Sequence, residues 1–390
     1  MEFMETLLAQ QQVVRLQALL EASRQIHSTI QLDEVLRIVL EIVVRELELE
    51  GAQFTNFPQV YGNVSGLQAA MSGDSSEGTE AVLRFPLRDK SGNPFTELVV
   101  VLPPNRVLDL DETDFLESIA VQAAVAIENA RFHERTLQWQ RVESDLASAR
   151  RVQLSLIPQQ MPEISGYDIA GQSLTCYEVG GDYFDIVAKP SGEFVIVVGD
   201  VAGKGLTSAL VGSSFRAGFR AMVHSNLSLL EIATQMNQIH YNEGAEARSR
   251  YVTAIFMRLD PSNHVLEVVN AGHNPAFLVG EDGRLTRIGA TGTPIGMLPF
   301  STYVPHTFTL DPGSRLLVYT DGMTEVFRGA EEFGERGLLD AFLACKEQTA
   351  ERTLSSLWHT LEAFSGGGNQ SDDMTALVLF RGAMETTIDG

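Results

Sequence analysis

The sequence predicts an α+β protein of two domains joined by a helical connector, the second domain built as two packed sheets covered by helices on both sides. Three observations carry this. At 390 residues the chain is long for a single core. Its first third sets amphipathic helices around a few strands, and from Asp111 the pattern is helical almost without pause until Pro158. After Pro162 it changes to short apolar strands, glycine turns and two helical pairs, as expected of antiparallel sheets packed face to face beneath helices.

Composition narrows the function. With 44% hydrophobic and 20% charged residues the chain is globular. A net charge of −23 argues against a protein whose main task is to grip nucleic acid, which needs a basic footprint. Two cysteines, Cys176 and Cys345, make no disulfide framework and suit a reducing compartment. The opening MEFMETLLAQ carries acids where a secretion signal carries bases, and no apolar run approaches the roughly 18 residues of a membrane span. The expected location is cytoplasmic, with neither membrane nor nucleic acid as partner.

In chain order, Glu5 to His27 lacks Gly and Pro and predicts a helix, with Val13, Leu16, Leu20 and Ser23 at coiled-seam spacing; residues 1–23 are read as an N-terminal helix. A second helix from Leu32 to Leu49 puts Leu32, Val35, Leu36, Val39, Leu40, Val43, Val44 and Leu47 on one face, with Asp33 near its start and Gly51 beyond its end. Strands follow at Gln53 to Phe57, Ala81 to Leu87 and Phe95 to Leu102. The segments IHSTIQLDEVLRIVLEIVVREL, RFPLRDKSGNPFTELVVVL and LDETDFLESIAVQAAVAIENARFHER make residues 24–135 resemble a GAF domain. That resemblance implies a sensory and dimerisation domain, with a central sheet backed by helices. The short stretch between Phe57 and Ala81 leaves little room to wall a large cofactor, and without a Cys there is no thiol for bilin attachment. His27 and His133 read as solvent-facing helix residues.

Residues 136–158 are read as a coiled-coil linker. Phe132, Trp139, Val142, Leu146, Ala149 and Leu156 keep a heptad register interrupted by Arg135 and Gln153, so a homodimer through this linker and the N-terminal helices is expected. Pro158 and Pro162 end the helix. Residues 159–382 form the second domain and 383–390 a tail.

The second domain is organised around GGDYFDIVAKPSGEFVIVVGDVAGKG. β-branched and aromatic residues flank a Pro-Ser-Gly turn, predicting a hairpin of Tyr183 to Ala188 and Glu193 to Val198. Asp182 enters the first strand and Asp200 leaves the second, so an antiparallel pairing brings both carboxylates to one rim. Clustered carboxylates repel unless they share a proton or a cation, and hard divalent ions prefer such oxygens; a single strand-end Asp is ordinary turn chemistry. Helices at Leu206 to His224 and Leu227 to Asn242 follow. Strands are predicted at Tyr251 to Leu259, Val265 to Asn270, Ala276 to Val279, Arg284 to Ile288, Val304 to Leu310 and Arg315 to Tyr319. Helices at Gly337 to Lys346 and Thr349 to Phe364 and a strand at Thr375 to Phe380 close the domain.

Two near-miss motifs fail. GGDYF differs from the GGDEF signature of cyclic-dinucleotide synthases at the acid that family uses on its metal, and Gly199 to Gly205 lacks the spacing and the hydroxyl of a phosphate-binding P-loop. Two further acidic turns do matter: Asp321 follows Tyr319-Thr320, and Asp372 and Asp373 precede Met374-Thr375. Asp182, Asp200, Asp321 and Asp372 thus recur at strand ends, with Asp373 a fifth candidate.

GGDYFD, GDVAGKG, NAGHNP, GTPIG, TDGMTE and SDDMT, preceded by ARRVQLSLIP, resemble in order the motifs of bacterial PPM-type (PP2C-like) serine/threonine phosphatases of the SpoIIE and RsbU group, over Ala149 to Arg381. The resemblance implies an α/β/β/α sandwich with two Mn²⁺ or Mg²⁺ ions. It implies that Asp200 bridges both ions and that the Val201 carbonyl is a ligand. Asp182 would hold one ion, and Asp321 and Asp372 the other, with Asp373 as substitute for Asp372. Such ions activate a water for in-line attack on a phosphoserine or phosphothreonine, and the implied substrate is a STAS-type anti-anti-sigma protein, an anti-sigma factor antagonist. His273 is a second-tier candidate for the general acid, and Lys204 for contact with phosphate. The alternative is a catalytically inactive dimeric module that keeps the fold; intact acids at all four motifs count against it.

Overall fold

The computed structural model describes residues 13, 16–64, 82–345, 349–368 and 370–382. The predicted starts at Glu5 and Ala81, the predicted end at Lys346 and the tail 383–390 lie outside them. The chain divides into two compact units, Met1–Glu143 and Ser144–Gly390. Among the described residues no helix is long and apolar enough to cross a membrane.

In the first unit helix α1 covers residues 16–26 and α2 spans Leu32–Glu46. Of the face expected for α2, Val35, Leu36, Val39, Leu40, Val43 and Leu47 are buried, Leu32 and Val44 only partly, and Ile42 is buried beside them. Strands β1 (Gly51–Phe54), β2 (Val60–Gly62), β3 (Val82–Arg88) and β4 (Pro94–Val101) form an antiparallel sheet in the order β2-β1-β4-β3. The three-residue β2, exposed throughout, has no apolar alternation to announce it. Helix α3 spans Leu110–Leu156, and the division between units falls within it. Its buried residues run from Phe115 to Ala130 and share one core with α2 and the sheet.

The second unit holds two five-stranded antiparallel sheets. One runs β12-β9-β8-β7-β6, from His306–Thr309, Val265–Ala271, Val252–Asp260, Phe194–Val201 and Tyr183–Ala188. The other runs β11-β10-β13-β16-β5, from Leu285–Ile288, Ala276–Val279, Arg315–Tyr319, Met374–Arg381 and Tyr167–Leu174. Helices α4 (Leu206–Val223) and α5 (Leu229–Tyr241) cover the first sheet, while α7 (Gly334–Ala344) and α8 (Ala350–Ser365) cover the second; α6 is the short Ala245–Arg248.

Alternation along the strands builds these layers. In β7, Ile196 and Val198 enter the core between the sheets, while Val195 and Val197 face the core beneath α4 and α5. A strand buried on both faces therefore reads as a continuous apolar run, which is how FVIVV appears. The α5 start carries a capping box in which Ser228 and Glu231 satisfy each other's backbone amides.

The predicted hairpin forms with Tyr183 opposite Gly199 and Ala188 opposite Phe194. It is tied to α4 by an ion pair between a buried aspartate and a half-exposed arginine. Asp185 is wholly buried and receives Arg220 Nε at 2.6 Å and Nη2 at 3.0 Å, together with the Tyr183 hydroxyl. The hairpin therefore has a fixed base from which its two end aspartates project.

Candidate metal and active site

The register explains how distant aspartates meet. Pairing of Tyr183 with Gly199 sets Asp182 beside Asp200 at one end of the first sheet. In the second sheet Tyr319 pairs with Ala376, so the residues just beyond β13 and just before β16, Asp321 and Asp372–Asp373, lie at neighbouring strand ends. Thr320 joins the two sheets: its hydroxyl donates to Asp182 Oδ2 at 2.7 Å, and the Thr375 amide donates to Thr320 Oγ1 at 2.9 Å. Thr320 is fully buried, so this bridge is held away from water. Asp321 opens a 3₁₀ turn, Asp321–Met323, and its carbonyl accepts the amides of Thr324 and Glu325, both at 2.8 Å.

The five carboxylates differ in what holds them. Asp373 is buried and accepts the amides of Cys176 and Gly181, each at 2.7 Å. Gly180 permits this, because a Cβ there would collide with the Asp373 carboxylate. Asp372 is partly exposed; its Oδ2 lies 2.7 Å from Lys204 Nζ, and the same ammonium donates to the Ser371 carbonyl at 2.6 Å. The Val201 carbonyl lies against Gly181, 2.9 Å from where a Cβ would stand. The paired acids of SDDMT thus divide their work: Asp373 pins the Gly-Gly-Asp turn, and Asp372 faces outward.

Burial and mutual repulsion raise these carboxyls. Asp200 is pushed up to about 7, first by burial and then by the charges of Asp321, Asp372 and Asp373, with hydrogen bonding to Asp182 offsetting part of the rise. Asp321 is pushed up to about 6 by burial, then by Glu325 and Asp372. Asp182 is held well above the ordinary carboxylate range by burial and by Asp200, and burial also raises Asp373.

His273, the second-tier candidate for the general acid, lies in a buried turn. It is buried, its Nδ1 lies 2.9 Å from Thr253 Oγ1, its amide donates to Asn270 Oδ1 at 2.8 Å, and burial lowers its pKa to about 4. Asn270 and His273 shape the turn between β9 and β10. Thr320, the first residue of the TDGMTE motif, has no role assigned to it by the sequence; nothing local distinguishes its hydroxyl from that of any strand-end Thr.

Residues 190–381 match the family described as Stage II sporulation protein E (SpoIIE). The carboxy-terminal domain is a SpoIIE-type, PP2C-like phosphatase domain. The chain is 29% identical over 199 residues to phosphoserine phosphatase RsbP of Bacillus subtilis, covering 50% of this chain and 48% of RsbP. It is 24% identical over 247 residues to phosphoserine phosphatase RsbU of the same organism, covering 62% of this chain and 71% of RsbU. The chain thus spans about half the length of RsbP. The SiaA PP2C domain of Pseudomonas aeruginosa shares the fold, with a TM-score of 0.55 and 21% identity over 63% of this chain and 98% of that domain.

The residues of the SpoIIE-type domain fit a divalent cation by their chemistry. The donors are carboxylate oxygens and a backbone carbonyl, which suit Mg²⁺ or Mn²⁺. The ammonium of Lys204 stands beside Asp372, while Asp200 stays raised by burial and its acidic neighbours. Among the described residues no three carboxylate, thiol or imidazole groups close round one point. The fit is therefore to ions whose shell these carboxylates would fill only in part, the carbonyl and water completing it, as Mg²⁺ sites commonly do.

These raised carboxyls make stability depend on pH. Between their ordinary pKa near 3.8 and folded values of about 6 and 7, the folded chain holds protons that the unfolded chain has lost, so stability falls as pH rises through that window. Chelator-treated protein should melt at a lower temperature at pH 8 than at pH 5, and Mn²⁺ should raise the melting temperature more at pH 8. Equal Mn²⁺ effects at both pH values would contradict the coupling.

Proposed function

We propose that the chain is a metal-dependent protein serine/threonine phosphatase controlled by its amino-terminal unit. The observation that carries this is the arrival of Asp182, Asp200, Asp321 and Asp372 from four separate segments at neighbouring strand ends. Asp182 and Asp200 would hold one ion and Asp200, Asp321 and Asp372 a second, with the Val201 carbonyl as a further donor. When bound, such ions lower the pKa of water and neutralise phosphate oxygens.

The chain's own groups do the rest. Thr320 fixes the Asp182 carboxylate across the two sheets, and Asp373 fixes the turn that carries it. Lys204 stands at Asp372 and offers an ammonium to the phosphate of an arriving substrate. Water attacks phosphorus and gives up a proton as the serine oxygen leaves with its bonding electrons and takes one up. The reaction needs no covalent enzyme intermediate. The proposed substrate is a phosphorylated STAS-type anti-sigma factor antagonist, and the proposed location is the cytoplasm.

Residues 24–135 would act as a GAF-like sensory domain, supported by the sheet backed by α2 and the first half of α3. A homodimer through α3 is supported by the exposure of Phe132 at 73%, Trp139 at 74% and Val142 at 52%, apolar residues in a heptad register.

Mn²⁺-dependent release of phosphate from a phosphoserine peptide is the expected activity. Asp200→Asn and Asp321→Asn should each lower it by more than about a hundredfold, beyond the usual loss on removing an outer-shell partner. Metal-independent release, or full activity in either variant, would refute the reading. In sedimentation velocity the wild-type chain should run as a dimer and Trp139→Glu as a monomer; a monomeric wild type would remove the proposed interface.

A further inference from the structure

The last turns of α3 belong to the same compact unit as the two sheets. Gln153 lies there, and its side-chain amide closes on one backbone residue: Nε2 donates to the Gly180 carbonyl at 2.5 Å, and Oε1 accepts the Gly180 amide at 3.1 Å. A single side chain thus satisfies both polar groups of a loop residue, much as a neighbouring strand would. Gly180 cannot carry a side chain without striking Asp373, the next amide, of Gly181, is held by Asp373 at 2.7 Å, and Asp182 follows. The turn that presents Asp182 is therefore gripped from two sides, by Asp373 and by Gln153.

The helix end is itself fixed. Arg216 of α4 donates to the Leu156 carbonyl at 3.0 Å, Gln159 Nε2 donates to the carbonyls of Leu154 and Ile157 at 2.7 and 3.0 Å, and Ile157 packs into the core between the sheets. Between Gln153, Leu156, Asp182, Tyr183, Gly212 and Arg216 there remains a void of only about 10 Å³, space for roughly one water. A shift of the helix by one residue, about 1.5 Å of rise and about 100° of turn, would carry the amide away from Gly180 and break both bonds.

We propose that Gln153 is a positioning residue of the active site, and that the catalytic unit begins inside this helix rather than after Pro158. The amide of Gln153 keeps the Gly180–Asp182 turn in the one backbone arrangement that aims Asp182 at its ion. The inference rests on the proposed metal-dependent reaction, yet the bonds at Gly180 can be read without it.

The test uses the full chain with Gln153→Met, which keeps length and loses both bonds, and Gln153→Glu, which keeps only the acceptor. Three quantities are measured: amide hydrogen exchange at Gly180 and Gly181 in chelator, Mn²⁺ affinity from the electron paramagnetic resonance of free Mn²⁺, and kcat and KM on a phosphoserine peptide. Gln153→Met should speed exchange at Gly180, weaken Mn²⁺ binding about tenfold and lower kcat at nearly constant KM, with little change in melting temperature. Gln153→Glu should fall between it and wild type in exchange at Gly180. Wild-type exchange and Mn²⁺ affinity in Gln153→Met would overturn the proposal, and the same result in Gln153→Glu would do so if the first variant did not fold. A wild-type chain that binds Mn²⁺ but releases no phosphate would instead overturn the proposed function, with exchange and affinity still deciding the role of Gln153.

Discussion

Burial of several carboxylates beside one another is the constraint around which the second unit is built. Raising Asp200 from its ordinary 3.8 to about 7 corresponds to roughly 4 kcal/mol against its ionised form. A fold gains nothing by assembling such a cluster unless something bound to it offsets that cost. The architecture answers the demand directly. Two sheets stacked in one sandwich bring strand ends from distant parts of the chain to the same edge, and Thr320 ties the edge of one to the edge of the other. The Asp185–Arg220 ion pair, in turn, ties the hairpin to α4.

Much of the fold was legible because its strands are buried on both faces. Tyr183–Ala188, Ala276–Val279 and Arg315–Tyr319 formed as read, being dense in β-branched and aromatic residues and bounded by turns. Tyr167–Leu174 was not foreseen. Its sequence, YDIAGQSL, has Gly171 in mid-strand, where the ring of Phe184 lies so close that a Cβ would meet it at 2.7 Å. It is a strand because it pairs along its whole length with Met374–Arg381, some two hundred residues later, and no local signal records that partner. Residues 306–309 form a shorter strand than the apolar pattern suggested, at the outer edge beside β9.

The candidate site was legible in its acids and not in its supports. A recurring Asp at strand ends is visible in one dimension. The division of labour between Asp372 and Asp373 is not, since it depends on which carboxylate turns back to the amides of Cys176 and Gly181. Gln153 shows the same limit: in the sequence it interrupts a heptad, and only its pair of hydrogen bonds with Gly180 explains a polar residue there. His273 is a further case, a chemically suggestive residue that lies in a buried turn held by Thr253 and Asn270.

The most direct measurement is an anomalous-difference map from crystals of the full chain grown in Mn²⁺. The expected map has Mn²⁺ peaks bounded by the carboxylates of residues 182, 200, 321 and 372, with Asp373 still turned to the Gly181 amide. A map empty at that rim under saturating Mn²⁺, or with the ion seated elsewhere, would contradict the metal centre on which the account stands.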